Sequence, residues 1–238
     1  MKTTATGSES ASPREVESGA LSPEKLRRFV RRFQKDGYAV LLNAVALDAL
    51  EKLAPRMDSD ANQILAAGGQ SRGEFGHGHL QLGPPRVGPF VSAQFVANPL
   101  IEQVVAAILG EGAFLSFYNG NCNSPHSGSQ KLHRDSSPWG AAGASESMHA
   151  TVINVNFSPR DICCENGATE VWPGSHMDGA DPEQQAAQEA RQGQGSPPIQ
   201  IEMPAGAVAF RGASHMTFTS VCRILCYVCG GAMHDPRD

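Results

Sequence analysis

The chain has 238 residues, 40% of them hydrophobic and 18% charged, which is enough apolar material for a substantial core and excludes a wholly disordered protein. A net charge of −5 argues against a whole-chain basic surface for nucleic acid. No apolar run approaches the ~18 residues of a membrane span, and no secretory signal opens the chain. With no export signal, the six cysteines are expected as free thiols of a cytoplasmic protein, and the 25 glycines and 16 prolines suit a turn-rich β fold.

Residues 1–20 are rich in Ser, Thr, Ala and Glu without a period and are expected to form a disordered tail. Ser22-Pro23-Glu24 opens a helix carrying Leu26, Phe29, Val30 and Phe33 on one face, and Gly37 stops it. Tyr38 to Leu42 reads as a strand, and Ala46 to about Ala54 as a second helix ending near Pro55. Residues 67–92, rich in Gly, Pro and His and without a period, read as a long loop that is functional or mobile rather than core, and Pro99 to Leu109 as a third helix.

The pattern then changes to short apolar runs between turn residues. These are Phe114 to Tyr118, Thr151 to Phe157, Thr169 to Trp172, Ile199 to Met203, Ala207 to Phe210 and Cys222 to Cys229. Helices followed by many short strands predict an α+β or helix-decorated β fold, interrupted by an exposed insertion at 180–197. Cys226 and Cys229, three apart on a strand, point to opposite faces, which suits neither a disulfide nor a shared metal.

Gln130-Lys131-Leu132-His133-Arg134-Asp135 carries the chemistry. On a strand, His133 and Asp135 share a face and can bind one ion side by side. A third ligand from a distant strand would complete the 2-His-1-carboxylate set of non-haem Fe(II) oxygenases. His215, after the run Ala207 to Phe210, is the leading candidate; His176, in the turn Trp172-Pro173-Gly174-Ser175-His176, is the rival.

Three segments in this order are similar to phytanoyl-CoA dioxygenase family proteins among the Fe(II)/2-oxoglutarate oxygenases. They are Gln130 to Asp135, Glu165 to His176, and Ala205 to His215, joined by Asp36-Gly37-Tyr38 entering the first strand. The likeness covers about residues 22–230, and its Gln-x-x-His-Arg-Asp form most resembles the secondary-metabolite branch. It implies a mainly β fold with flanking helices, a cupin-like double-stranded β-helix or jelly roll, forming a single domain over 21–238. It also implies Fe(II) held by His133, Asp135 and His215, with 2-oxoglutarate and O2 converted to succinate and CO2. The distal carboxylate of 2-oxoglutarate would meet Arg223, with Gln130 and Thr169 as further cosubstrate contacts. Arg223 is also the only basic residue in the apolar run Val221 to Val228, and a cation there needs an anionic partner. It follows His215 by eight residues, a shorter spacing than the family usually shows.

Asp135 occupies the position that related halogenases leave to a small residue, so halogenation is disfavoured; hydroxylation of a small to medium hydrophobic metabolite is the default, with desaturation, epoxidation, ring rearrangement and endoperoxide formation open on the same iron. Trp139 is a candidate for the substrate mouth. A monomer or homodimer is expected. The alternatives are a catalytically weak or inactive jelly-roll subunit partnering an active homologue, and a cupin-like metal isomerase.

Overall fold

The structure is a computed structural model. It describes residues 8–68, 78–125, 127, 128, 130, 132–135, 152–177 and 198–213, and the backbone of 217–219 and 226–234. The expected insertion at 180–197 lies outside these residues.

Helix ends follow local capping chemistry. In α2 (Pro23–Asp36) the Ser22 hydroxyl accepts from the Lys25 N–H, Pro23 occupies the first turn, and Gly37 terminates the helix at φ 79°. In α5 (Pro99–Leu109) the Asn98 side chain accepts from the N–H groups of Leu100 and Ile101. Helix α3 (Leu47–Ala66) runs well past the expected end and carries Pro55 inside it. Its buried stripe continues through Met57 and Ala61, and that burial offsets the hydrogen bond that proline removes.

The expectation of a disordered 1–20 fails from residue 9 onward. Strand β1 (Glu9–Ser10) pairs with β2 (Tyr38–Leu42), and α1 (Pro13–Ser18) follows, with Ala11 and Leu21 buried in the core. A capping box secures α1: Ser12 caps the Glu15 N–H while the Glu15 carboxylate accepts from the Ser12 N–H.

The remaining strands are β3 (His79–Leu80), β4 (Phe114–Leu115), β5 (Asn119–Asn123), β6 (Val152–Phe157), β7 (Thr169–Val171), β8 (Ile199–Gln200), β9 (Val208–Gly212), β10 (Thr217–Thr219) and β11 (Cys226–His234). One sheet has the order β1-β2-β9-β6-β11-β5-β3, with β4 also pairing β11; the other has the order β10-β7-β8. Of the expected strand Phe114 to Tyr118 only Phe114–Leu115 is extended in a sheet, as β4, and β5 begins just beyond it at Asn119. Asparagine is poor in intrinsic strand preference, so Asn119–Asn123 owes its extension to five register pairs with β11. The loop expected over 67–92 contains β3, the sheet's far edge.

Two cores lie on opposite faces of the large sheet. Strand β6 shows the split: Ile153, Val155 and Phe157 are buried, whereas Val152, Asn154 and Asn156 are half-buried. The first face packs on the helices through Phe29, Phe33, Leu50, Leu53, Val104 and their neighbours. Phe29 meets Phe210 edge-on at 5.3 Å, and Phe95 from α4 (Ala93–Val96) stacks on Phe157 at 5.1 Å. On the second face, Tyr38, Val40, Ala207 and Ala209 pack against Ile162, Ala168, Val171, Ile201 and Met203 around the small sheet.

Candidate active site

On that second face the apolar packing gives way to polar residues within one strand. Ala209 of β9 belongs to the inter-sheet core, and two residues on, sharing its face, comes Arg211, which is only 9% exposed. A guanidinium there requires an anion, and Asp135 supplies it: Arg211 Nη2 lies 2.6 Å from Asp135 Oδ2. Asn154, opposite Arg211 in register on β6, donates its Nδ2 to the same oxygen at 2.8 Å. Asp135 Oδ1 is thereby turned toward His133, whose Nε2 is 3.4 Å away.

The His133–Asp135 pair sits on a clamped segment outside both sheets, where His133 makes a single β-bridge, not the regular strand expected. The Asp135 N–H donates to the Ala213 carbonyl at 2.9 Å, two residues before His215 in sequence. Between the pair, Arg134 Nη1 donates to the Ser175 carbonyl at 2.8 Å. That turn is held in place by the end of α2: Gly174 N–H donates to Asp36 O, and His176 Nε2 to Gln34 O at 3.0 Å. Upstream, buried His79 bridges Asn123 and the Gly128 carbonyl, at 2.7 and 2.6 Å. Gly78 beside it, at φ +81°, has room for nothing larger, since a Cβ would come within 2.5 Å of Ser124 Oγ.

Electrostatics suit a metal ligand. Burial alone would raise the Asp135 carboxyl, but the Arg211 charge and the hydrogen bond from His133 outweigh it and hold the group well below the usual carboxylate range. Asp135 is therefore an anion throughout the neutral range. Burial pushes His176 down from the ordinary imidazole value, against the opposing pull of Gln34 O, so it is a neutral structural group. It lies in the clamp, away from the ligand pair.

A pair of donors each ~2.1 Å from one ion and at right angles sits about 3 Å apart. The 3.4 Å between His133 Nε2 and Asp135 Oδ1 fits such a pair. Among the described residues, no third His, Cys, Asp or Glu joins them. His215, Arg223 and Trp139 lie outside the described residues. Gln130 is half-buried, three residues before His133. Thr169 lies two residues from Val171 on β7 and so shares the face that looks toward the large sheet. The structure adds Arg211 and Asn154, which sequence reasoning missed. The signal was present: Arg211 is the basic residue in the apolar run that begins at Ala207.

A family model described as phytanoyl-CoA dioxygenase matches residues 33–218. The chain belongs to the phytanoyl-CoA dioxygenase family. It is thus a member of a family of non-haem iron, 2-oxoglutarate-dependent oxygenases. Solved structures share its fold at low identity. AviO1 from Streptomyces viridochromogenes Tue57 is 18% identical, with a TM-score of 0.64 over 91% of this chain and 97% of that one. SnoN, described as a non-heme alpha-ketoglutarate-dependent epimerase from nogalamycin biosynthesis, is 18% identical, with a TM-score of 0.66 over 90% and 82%. ThoJ, a non-heme monooxygenase solved as a nickel complex, is 20% identical, with a TM-score of 0.61 over 88% and 78%. In this phytanoyl-CoA dioxygenase family member, no helix among the described residues is long and apolar enough to cross a membrane.

Proposed function

We propose that the chain is a non-haem Fe(II)/2-oxoglutarate-dependent dioxygenase that oxidises a C–H bond of a small to medium metabolite, hydroxylation being the default outcome. The observation that carries this reading is the His133–Asp135 pair, with the Asp135 backbone tied to Ala213 at the approach to His215. His133, Asp135 and His215 would hold the metal. Bound iron with 2-oxoglutarate supplies the reductive activation of O2 that ends in succinate, CO2 and an oxidised substrate. Arg211 and Asn154 hold the Asp135 carboxylate charged and fixed in orientation. Gln130, Thr169 and Arg223 would meet the cosubstrate, and Trp139 the substrate. The apolar cluster shared by the two sheets supports reading them as the walls of a double-stranded β-helix.

The nickel complex of ThoJ and the cosubstrate named for SnoN support the same cofactor pair here. Anaerobic titration with Fe(II) and 2-oxoglutarate tests the reading. The expected result is the visible charge-transfer band of the chelate, followed by succinate release when air is admitted. Both signals should vanish in His133→Ala and in Asp135→Ala. A wild-type protein that binds no Fe(II) and releases no succinate overturns the proposal.

A further inference from the structure

The substrate-facing wall can be read residue by residue from the sheet register. On β5, Cys122 belongs to the helix-facing core, so Asn119, Asn121 and Asn123 face the other side. On β6, Asn154 and Asn156 face that same side, because Asn154 reaches Asp135 there. Gly230 of β11 stands opposite both Asn119 and Asn156, so a glycine floors the space between two amides. Two strand spacings separate those amides by about 10 Å, the width of a sugar ring with its hydroxyls.

Asn123 is engaged by His79 and Asn154 by Asp135, but the other three amides are not consumed by the fold. Asn121 is exposed, Asn119 and Asn156 are half-buried, and no hydrogen bond to another described residue engages their side chains. The Gly/Pro-rich loop borders the same wall: at Gly83 a Cβ would lie 2.6 Å from the Asn119 backbone and 2.7 Å from its Oδ1. Arg211 Nη2 on this face is paired with Asp135. A hydrocarbon substrate would strip water from several amides and give no partner in return. A hydroxyl both donates and accepts, and so does a carboxamide.

We propose that the oxygenase site takes a hydroxyl-rich substrate of the sugar or polyol class, held by Asn119, Asn121 and Asn156 on the wall that also carries Asn154. This departs from the hydrophobic metabolite expected from the sequence, and it rests on the oxygenase reading for its account of what happens to that substrate.

Saturation-transfer NMR on the full chain provides the test, with methyl α-D-glucopyranoside and maltotriose as hydroxylated probes and 1-octanol as the apolar one. Transfer to at least one saccharide is expected with the wild type, weakened about tenfold or more in Asn121→Leu/Asn156→Leu. Asn121→Ser/Asn156→Ser, which keeps hydroxyls on the wall, should retain part of the binding and guards against a leucine variant that misfolds; circular dichroism checks both. The inference is overturned if neither saccharide binds, if the folded leucine variant binds them as well as the wild type, or if octanol binds the wild type in preference. The charge-transfer band is scored separately on the wild type. A band without saccharide binding sinks this inference alone, whereas saccharide binding without a band sinks the oxygenase reading and leaves the wall.

Discussion

A carboxylate that is to ligate a cation while partly withdrawn from water needs something to hold its charge and its orientation. Arg211 and Asn154 do both for Asp135, gripping Oδ2 and leaving Oδ1 toward His133. Arg211→Met removes the grip at nearly constant volume. The expected result is a loss of about 1–3 kcal/mol in urea unfolding, below the value for a fully buried pair because Asp135 is partly open to solvent. Ni(II) affinity should fall about 10-fold or more by calorimetry, as for other groups that orient a ligand. Unchanged Ni(II) affinity would remove Arg211 from this role. The closeness of His133 and Asp135 was legible in the sequence because two residues on one extended segment meet without help from elsewhere. Its grip was not, because Arg211 and Asn154 reach Asp135 from strands that only the sheet register brings together. The rule that a basic residue in an apolar run needs an anion was applied to Arg223 and applies equally to Arg211.

At the scale of elements, legibility follows the locality of the cause. Helices α2 and α5 end where their caps say they should, because Ser22, Gly37 and Asn98 act within a few residues. Helix α1 was missed although Ser12-Pro13-Arg14-Glu15 carries the reciprocal cap signature in plain view. Its polar sequence masked a short element stabilised by side-chain hydrogen bonds rather than by an apolar stripe. Glu15 is the hub. Burial alone would raise its carboxyl, but Lys25 and the N–H groups of Ser12 and Ser22 bring it down to about 2. A carboxyl lowered on folding contributes stability that is present above its unfolded value and is lost as pH falls from about 4.5 toward 2. Glu15→Gln should therefore speed amide exchange over residues 12–22 about fivefold near neutral pH, the equivalent of roughly 1 kcal/mol for a lost cap. The same variant should show a flatter response of these amides between pH 5 and 3 than the wild type. Equal exchange in the two proteins would show that α1 is held by packing alone.

Across the whole molecule, strand positions were mostly readable and their order was not. Alternation marks Val152–Phe157 as a strand, yet nothing local says that β6 lies between β9 and β11, which follow it by dozens of residues. Such pairings are settled by burial of two different faces at once, a constraint that acts on the assembled sheet. The chain's opening residues are part of that solution. Strand β1 runs parallel to β2, pairing Glu9 with Leu41 and Ser10 with Leu42, and the Ala11 N–H adds a bond to Leu42 O. Those few residues shield part of an outer edge that would otherwise offer free backbone groups beside two leucines, a template for adding strands from other molecules. A chain started at residue 13 should keep the His133–Asp135 pair and yet self-associate as its concentration rises, visible in light scattering. If it stayed monodisperse, the edge would need no guard. On this view strand β1 serves colloidal behaviour rather than catalysis.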